Sequence, residues 1–244
     1  EDTAALRAAA VLHRVTMSTL VRGAWALLLS RCSGEEDIVF GATCSGRPAD
    51  LSGVEAMVGM FISTLPVRIL VQPDSFLGAW LRGVQDGQQA GQAFEHCSAG
   101  QVQPWSEIGS ARPLYDSLLV YENYPVQPGP EREPGGLRIE KSLVKGSVTH
   151  YPLTLLIECD DALDVRAVYD GRLLGQEDVE RVVGVVARSG STLHSRVRLS
   201  DLPTKAAGDQ TPDLLYALRL YLTGDVGANA IRVTGVVDGE SEGD

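Results

Sequence analysis

Apolar positions recur at helical spacing in two stretches at the start of the chain, then give way to short continuous apolar runs. Thr3 to Arg14 carries the first helical pattern in strong helix formers. Thr16 is placed to cap a second, largely apolar helix from Met17 to Arg31, which Ser33-Gly34 ends. In that helix Leu20, Ala24, Leu27 and Leu28 form a core stripe, with Trp25 packing beside it. Ile38 to Thr43 is a short apolar run between turn signals, which suits a central strand. Leu65 to Val71 is a second strand, with Pro66 near its first residue, where a missing N–H matters least. The whole stretch Asp37 to Arg68 reads as a buried strand, a tight Gly-Arg-Pro corner, a short helix and a second strand.

Downstream, Ser75 to Phe94 has a helical pattern with Asp74 or Ser75 as its N-cap. Its second half, GVQDGQQAGQ, is weakly amphipathic and glycine-rich, which implies an exposed and softer segment. Cys97 to Arg112 reads as a loop anchored by Trp105, and Ser117 to Tyr121 as a β-run. Pro125 to Gly136 has the composition of a surface loop. Leu137 to Leu143 leads into Leu153 to Glu158, and an Asp160-Asp161 turn leads into Leu163 to Tyr169. Glu177 to Leu193 is a final amphipathic helix with Val182, Val183 and Val186 inward. Leu199 to Pro203 reads as an exit linker. Residues 204–244 change composition and form a linker or tail of unknown identity, partly disordered; Leu214 to Leu222 suits a strand or a short helix. Helices alternate with strands, some of them adjacent in sequence, so the fold class is α/β with a mixed sheet packed by helices.

Composition narrows the function classes. A chain of 244 residues buries a sizeable core, as one large domain or two small ones. The formal charge of −11 argues against a nucleic-acid partner. Lys occurs only at Lys141, Lys145 and Lys205, so the basic charge is nearly all Arg. No run of about 18 apolar residues exists to span a membrane. The acidic opening EDTAALRAAA lacks the basic region of a signal peptide, and a first residue other than Met fits an excised segment. Cys32, Cys44, Cys97 and Cys159 are far apart, which disfavours structural zinc and a disulfide framework and points to a reduced, cytoplasmic protein.

Three familiar catalytic signatures, GxxxxGK[ST], GxGxxG and HExxH, do not occur. His13 and His194, near helix ends, read as solvated or dipole-stabilised. His96-Cys97 is a weak candidate for a thiol and its base, because neighbours in sequence seldom aim at each other. His150, before Tyr151-Pro152, sits at a strand entrance, where lining a ligand and simple packing are both open. The acidic pairs read as turns, with no metal site expected at either. Arg47 is the conspicuous charge, set between Gly46 and Pro48 where an apolar strand ends. A carboxylate partner and a pinning role through backbone carbonyls are equally open on the residues alone.

The segments TLVRGAWALLLSRCSGEEDIVFGATCSGRP, VEAMVGMFISTLPVR, FEHCSAGQVQPW, PLYDSLLVYENYP and THYPLTLLI resemble, in order and near the expected spacing, landmarks of the condensation domains of non-ribosomal peptide synthetases. The resemblance runs from about Ala5 to Pro203 and covers only the C-terminal lobe, so residues 1–203 are assigned to that lobe. It implies a chloramphenicol-acetyltransferase-like fold, one of two lobes in a V. Such domains join an upstream acyl or peptidyl thioester to the amine of a downstream aminoacyl thioester. Both are held on phosphopantetheine arms of carrier proteins, which enter a tunnel between the lobes, and no cofactor is bound directly. The family's HHxxxDG motif belongs to the N-terminal lobe and is absent from this sequence.

By the same resemblance Arg47 matches the arginine that pairs with the Asp of that motif, so in this chain it is expected unpaired and exposed. Ser63 and Thr64 match a motif that usually reads Asn-Thr, and Asn123, Thr149, His150 and Tyr151 match segments near the tunnel. These six are the substrate-tunnel candidates, with no catalytic residue and no metal ligand assigned. The implied partners are an N-terminal lobe, carrier proteins and an adjacent adenylation domain. The alternative is a non-catalytic module that docks a carrier protein or a neighbouring domain. Either way, the face that should meet the other lobe is expected to expose apolar surface.

Overall fold

The computed structural model describes residues 2–48, 51–109, 112–122, 149–159, 163–175, 179 and 231–238. Two helices open the chain, α1 (Asp2–His13) and α2 (Met17–Ser33). The α2 boundaries follow from local chemistry. Thr16 Oγ1 accepts the Thr19 N–H at 3.1 Å at its start, and Gly34, at φ 77°, ends it by donating its N–H to Ser30. Leu20, Ala24, Trp25, Leu27 and Leu28 are all buried, as their spacing requires.

Strands β1 (Asp37–Cys44) and β2 (Ser63–Leu70) follow, with the 3₁₀ turn Val54–Ala56 between them. Helix α3 (Leu77–Gln92) and the one-turn α4 (Ala99–Val102) precede β3 (Ser117–Glu122), β4 (Leu153–Cys159), β5 (Leu163–Tyr169) and β6 (Ile231–Asp238). The six strands form one mixed sheet in the order β2-β1-β3-β4-β5-β6. β1 runs antiparallel to β2 and parallel to β3, so it is interior. β4 and β5 are antiparallel, and β6 joins β5 in parallel from the segment read as a tail.

Period-2 alternation splits the sheet into two faces. On one, Ala42, Leu119, Leu155 and Ala167 line up across four strands by register. With Phe40, Ile157 and Val165 they join the core beneath the helices, where α2 packs on β1. Each fully buried Leu or Phe there contributes roughly 1.5–3 kcal/mol. The opposite face carries Gly41, Leu118 and Thr154. A Cβ at Gly41 would collide with the Tyr115 ring, so glycine is what lets that tyrosine lie on β1.

Several sequence expectations change. Pro66 is the fourth residue of β2 rather than near its first. It is tolerated because β2 is an edge strand. Leu70 turns its carbonyl outward to accept the Trp80 indole N–H at 2.7 Å, so by alternation the Pro66 nitrogen also faces outward. Neither Asp74 nor Ser75 caps α3. That helix starts after Phe76 with no side-chain cap, because residues 72–75 are used in a turn in which the Ser75 hydroxyl bonds Gln72. Cys97–Arg112 is not wholly a loop: Ser98 and Gln101 make a reciprocal capping box on α4. Trp105 anchors nothing, being 72% exposed.

His13 is the largest departure. It ends α1 as expected but is 3% exposed, not solvated. Its ring lies against Gly78 of α3, where a side chain would meet Nδ1 at 2.8 Å. The readings for Pro125–Gly136, Leu137–Leu143, Asp160-Asp161, Leu199–Pro203 and Leu214–Leu222 lie outside the described residues, as does Glu177–Leu193 apart from a buried Val179.

Burial, with Arg82 adding to it, lowers the pKa of His13 from 6.5. The unfolded chain therefore binds a proton more readily than the folded one below that pH, and stability falls as the solution is acidified. His13→Gln is expected to flatten that loss between pH 7.5 and 5, read as the difference in urea midpoint between wild type and variant. An identical slope in the two proteins would place the titrating group elsewhere. Gly41→Ala is expected to cost about 1–3 kcal/mol through displacement of Tyr115, measured by the same denaturation.

Candidate functional site

The corner where β1 stops is built around Gly46 and Arg47. Gly46 has φ 61°, a region open to glycine, and a Cβ there would strike the Phe61 carbonyl. The segment before β2 can therefore lie directly across the end of β1. Arg47 then reaches over the same segment. Its Nη1 donates to the Val54 carbonyl and its Nη2 to the Met57 carbonyl at 3.0 Å, and its Cζ sits 4.2 Å from the centre of the Phe61 ring. Arg47 is half-buried, and among the described residues no carboxylate pairs with it. The expectation of an exposed side chain is thus corrected: carbonyls and a ring face hold a half-buried guanidinium, as in the pinning reading.

The loop pinned in this way presents apolar side chains to solvent. Val58 is 102% exposed, Met60 101% and Ile62 63%, at alternate positions of the loop that Arg47 pins. A run of this kind is costly to leave in water.

Ser63 and Thr64 open β2, opposite Cys44 and Thr43. Being adjacent, they point to opposite faces. Ser63 turns toward the segment that follows α3: its hydroxyl lies 2.9 Å from the Cys44 thiol and donates to the Glu95 carbonyl at 2.8 Å. Glu95 also accepts the Gly46 N–H through Oε2 at 3.3 Å. Burial pushes the Cys44 thiol up, with the Ser63 hydrogen bond opposing, so at neutral pH the group is a thiol donor and not a thiolate. Thr64 shares the other face with Gly41 and Thr43.

Thr149 and Tyr151 form a second group, just before β4. Tyr151 stacks on Tyr115 with centroids 5.4 Å apart, the two hydroxyls 3.4 Å from each other. Burial raises the Tyr115 hydroxyl well above its ordinary range, and the Tyr151 hydrogen bond adds to the effect. Thr149 and the buried Thr154 share a hydrogen bond of 2.7 Å. His150 is exposed between them, and Asn123 lies outside the described residues. The tunnel candidates thus fall into two groups at opposite ends of parallel strands, with Ser63–Thr64 beside the end of β1 and Thr149–Tyr151 before the start of β4.

Residues that the sequence did not single out are Tyr115, Glu95 and Arg22. Only the tyrosine carried a signal, two residues before the β3 run. The Cys97 thiol lies 3.6 Å from His96 Nε2, so these neighbours do meet, at a buried sulfur beside an exposed ring. Among the described residues no group of three or more His, Cys, Asp or Glu is placed to hold a metal ion. No helix among them is long and apolar enough to cross a membrane.

Comparison with known proteins decides the family. The family model described as Condensation domain matches residues 1–189. The chain belongs to the condensation-domain family. A component of the linear gramicidin synthase of Brevibacillus parabrevis is 41% identical over 183 residues, covering 75% of this chain and 2% of that protein. Chondramide synthase cmdD of Chondromyces crocatus is 39% identical over 208 residues, covering 82% of the chain and 5% of that protein. The chain therefore spans a few per cent of the length of these relatives.

Among solved structures, one described as the crystal structure of CT superposes with a TM-score of 0.56 at 25% identity, over 67% of this chain and 37% of that one. A four-domain non-ribosomal peptide synthetase bound to AMP and glycine superposes with a TM-score of 0.52 at 18% identity, over 65% and 13%. The condensation-domain chain has the chloramphenicol-acetyltransferase-like fold expected of it.

Gly46→Ala combines a positive φ with a collision against backbone. It is expected to destabilise the domain by roughly 1–3 kcal/mol and to increase proteolytic cleavage in the Met57–Ile62 loop. A variant as stable and as protease-resistant as wild type would show that Phe61 can move aside without cost.

Proposed function

We propose that this chain is the C-terminal, acceptor-side lobe of a non-ribosomal peptide synthetase condensation domain. In that reaction the amine of a carrier-bound aminoacyl thioester attacks the carbonyl of a carrier-bound acyl or peptidyl thioester. A C–N bond forms, the C–S bond breaks, and the proton lost by the amine ends on the departing pantetheine thiol. The histidine that positions or deprotonates the amine comes from the HHxxxDG motif of an N-terminal lobe, and that motif is absent from this sequence. The chain alone is therefore inactive. Its contribution is to close one side of the tunnel and hold the acceptor arm in place, so that proximity accounts for much of the rate.

The observation that carries this reading is the Arg47 corner. Two of the five guanidinium donors are committed to Val54 and Met57, which leaves three for an incoming carboxylate. Around it Val58, Met60 and Ile62 form an exposed apolar rim. The Asp of the N-terminal motif is the carboxylate, and that lobe is the cover for the rim. Ser63, Thr64, Asn123, Thr149, His150 and Tyr151 line the tunnel. Carrier proteins bearing phosphopantetheine and an adjacent adenylation domain are the partners, in the cytoplasm.

A single-turnover assay with loaded donor and acceptor carriers tests the reading, run with this chain, a separately expressed N-terminal lobe, and both. Product is expected only from the combination. Arg47→Ala is expected to lower the combined yield at least about tenfold, the scale of one charge-assisted bond. Product from this chain alone would overturn the mechanism. Carrier binding that survives Arg47→Ala, with no product from any combination, would instead establish a non-catalytic docking module.

A further inference from the structure

A cavity of about 630 Å³ lies on the other side of β2, between that strand and α3. Its volume exists because of glycine. Gly83, Gly87 and Gly91 recur every four residues, so they share one face of α3, and all three line the cavity. A Cβ at any of them would meet nothing within 4 Å. Each glycine costs the helix roughly 1 kcal/mol relative to alanine, and what that sequence obtains here is room. Leu65, Val67, Trp80 and Val84 supply an apolar wall.

Three charged residues line this cavity: Arg68, which pairs with Asp37, and two of opposite sign that form no ion pair with each other, Arg22 and Glu95. Arg22 of α2 lines it. Its Nε is sealed from solvent with no hydrogen-bond partner, and no carboxylate among the described residues lies within ion-pair distance of it. Burial lowers the pKa of this guanidinium, while Cys44 and Glu95 act the other way through space. Glu95 lines the same cavity, with Oε2 on the Gly46 N–H. A guanidinium N–H sealed from water without an acceptor is unfavourable. A simple anion would relieve Arg22 but would be repelled by Glu95, and a simple cation would meet the reverse. A ligand carrying both charges satisfies both walls.

We propose that this cavity binds a small zwitterion of the α-amino-acid type, with its carboxylate on Arg22, its ammonium on Glu95 and an apolar side chain against Trp80 and Val84. The site uses neither a second lobe nor a carrier arm, and it stands independently of the condensation reading.

Calorimetric titration of the 244-residue chain with L-leucine, L-leucinamide and N-acetyl-L-leucine is the test. Leucine is expected to bind saturably. The amide lacks the carboxylate and the N-acetyl compound lacks the ammonium, so each should bind at least about tenfold more weakly, the scale of one charge-assisted hydrogen bond. Glu95→Gln should erase the discrimination between leucine and N-acetyl-leucine while keeping that against leucinamide. Gly87→Leu alters neither charge and improves helix propensity, so it should abolish binding without lowering the melting temperature. No saturable heat with leucine would overturn the proposal, as would equal binding of all three compounds, or a folded Gly87→Leu protein that binds leucine like wild type.

Discussion

Everything at the candidate site depends on how completely β1 is enclosed. It is hydrogen-bonded to β2 on one edge and to β3 on the other, with α2 on one face and the Tyr115 ring resting on Gly41 on the other. A strand enclosed on every side leaves no room for charge, so Ile38, Phe40 and Ala42 are buried and neutral. The first cation after it, Arg47, appears where enclosure ends, and Gly46 supplies the left-handed turn that releases the chain. The site is thus a rim defined by where a core strand stops.

At that rim the guanidinium is satisfied locally. Carbonyl partners suit a half-buried Arg better than vacancy would, since they offset part of the desolvation without requiring a second buried ion. The consequence is a fixed cation at the foot of an apolar loop. Val58, Met60 and Ile62 stand in water while Phe61 is held beneath by the cation. Such a loop is held in place at its base but costly in exposure.

Helix α3 serves two different neighbours along its length. At its N-terminal end Gly78 admits the His13 ring, and Trp80 and Leu81 pack against Gly23 of α2, so α1, α2 and α3 approach closely through missing side chains. Further along, Gln85 accepts the Thr16 N–H at 2.8 Å and ties the start of α2 to the same helix. On its cavity side Gly83, Gly87 and Gly91 face open space. The same residue type thus allows close packing in one place and an open cavity in another, and only the neighbouring elements distinguish the two.

The amino-acid sequence by itself determined what is local or periodic. Thr16 and Gly34 bound α2 because caps act within one turn, and β1, β3, β4 and β5 were legible because burial imposes short apolar runs. The family landmarks were legible too, since they are strings of neighbouring residues, and the family model matches 1–189. Only the tertiary structure decided what depends on residues far apart. His13 is buried because α3 brings Gly78 to it. Trp105 is exposed because no element among the described residues covers it, and β6 joins the sheet through pairing with a strand far earlier in the chain. Arg47 meets carbonyls and not a carboxylate because loop closure sets Val54 and Met57 within its reach. Arg22 and Glu95 share one cavity because α2 and the segment that follows α3 both border it, a juxtaposition that no local pattern encodes.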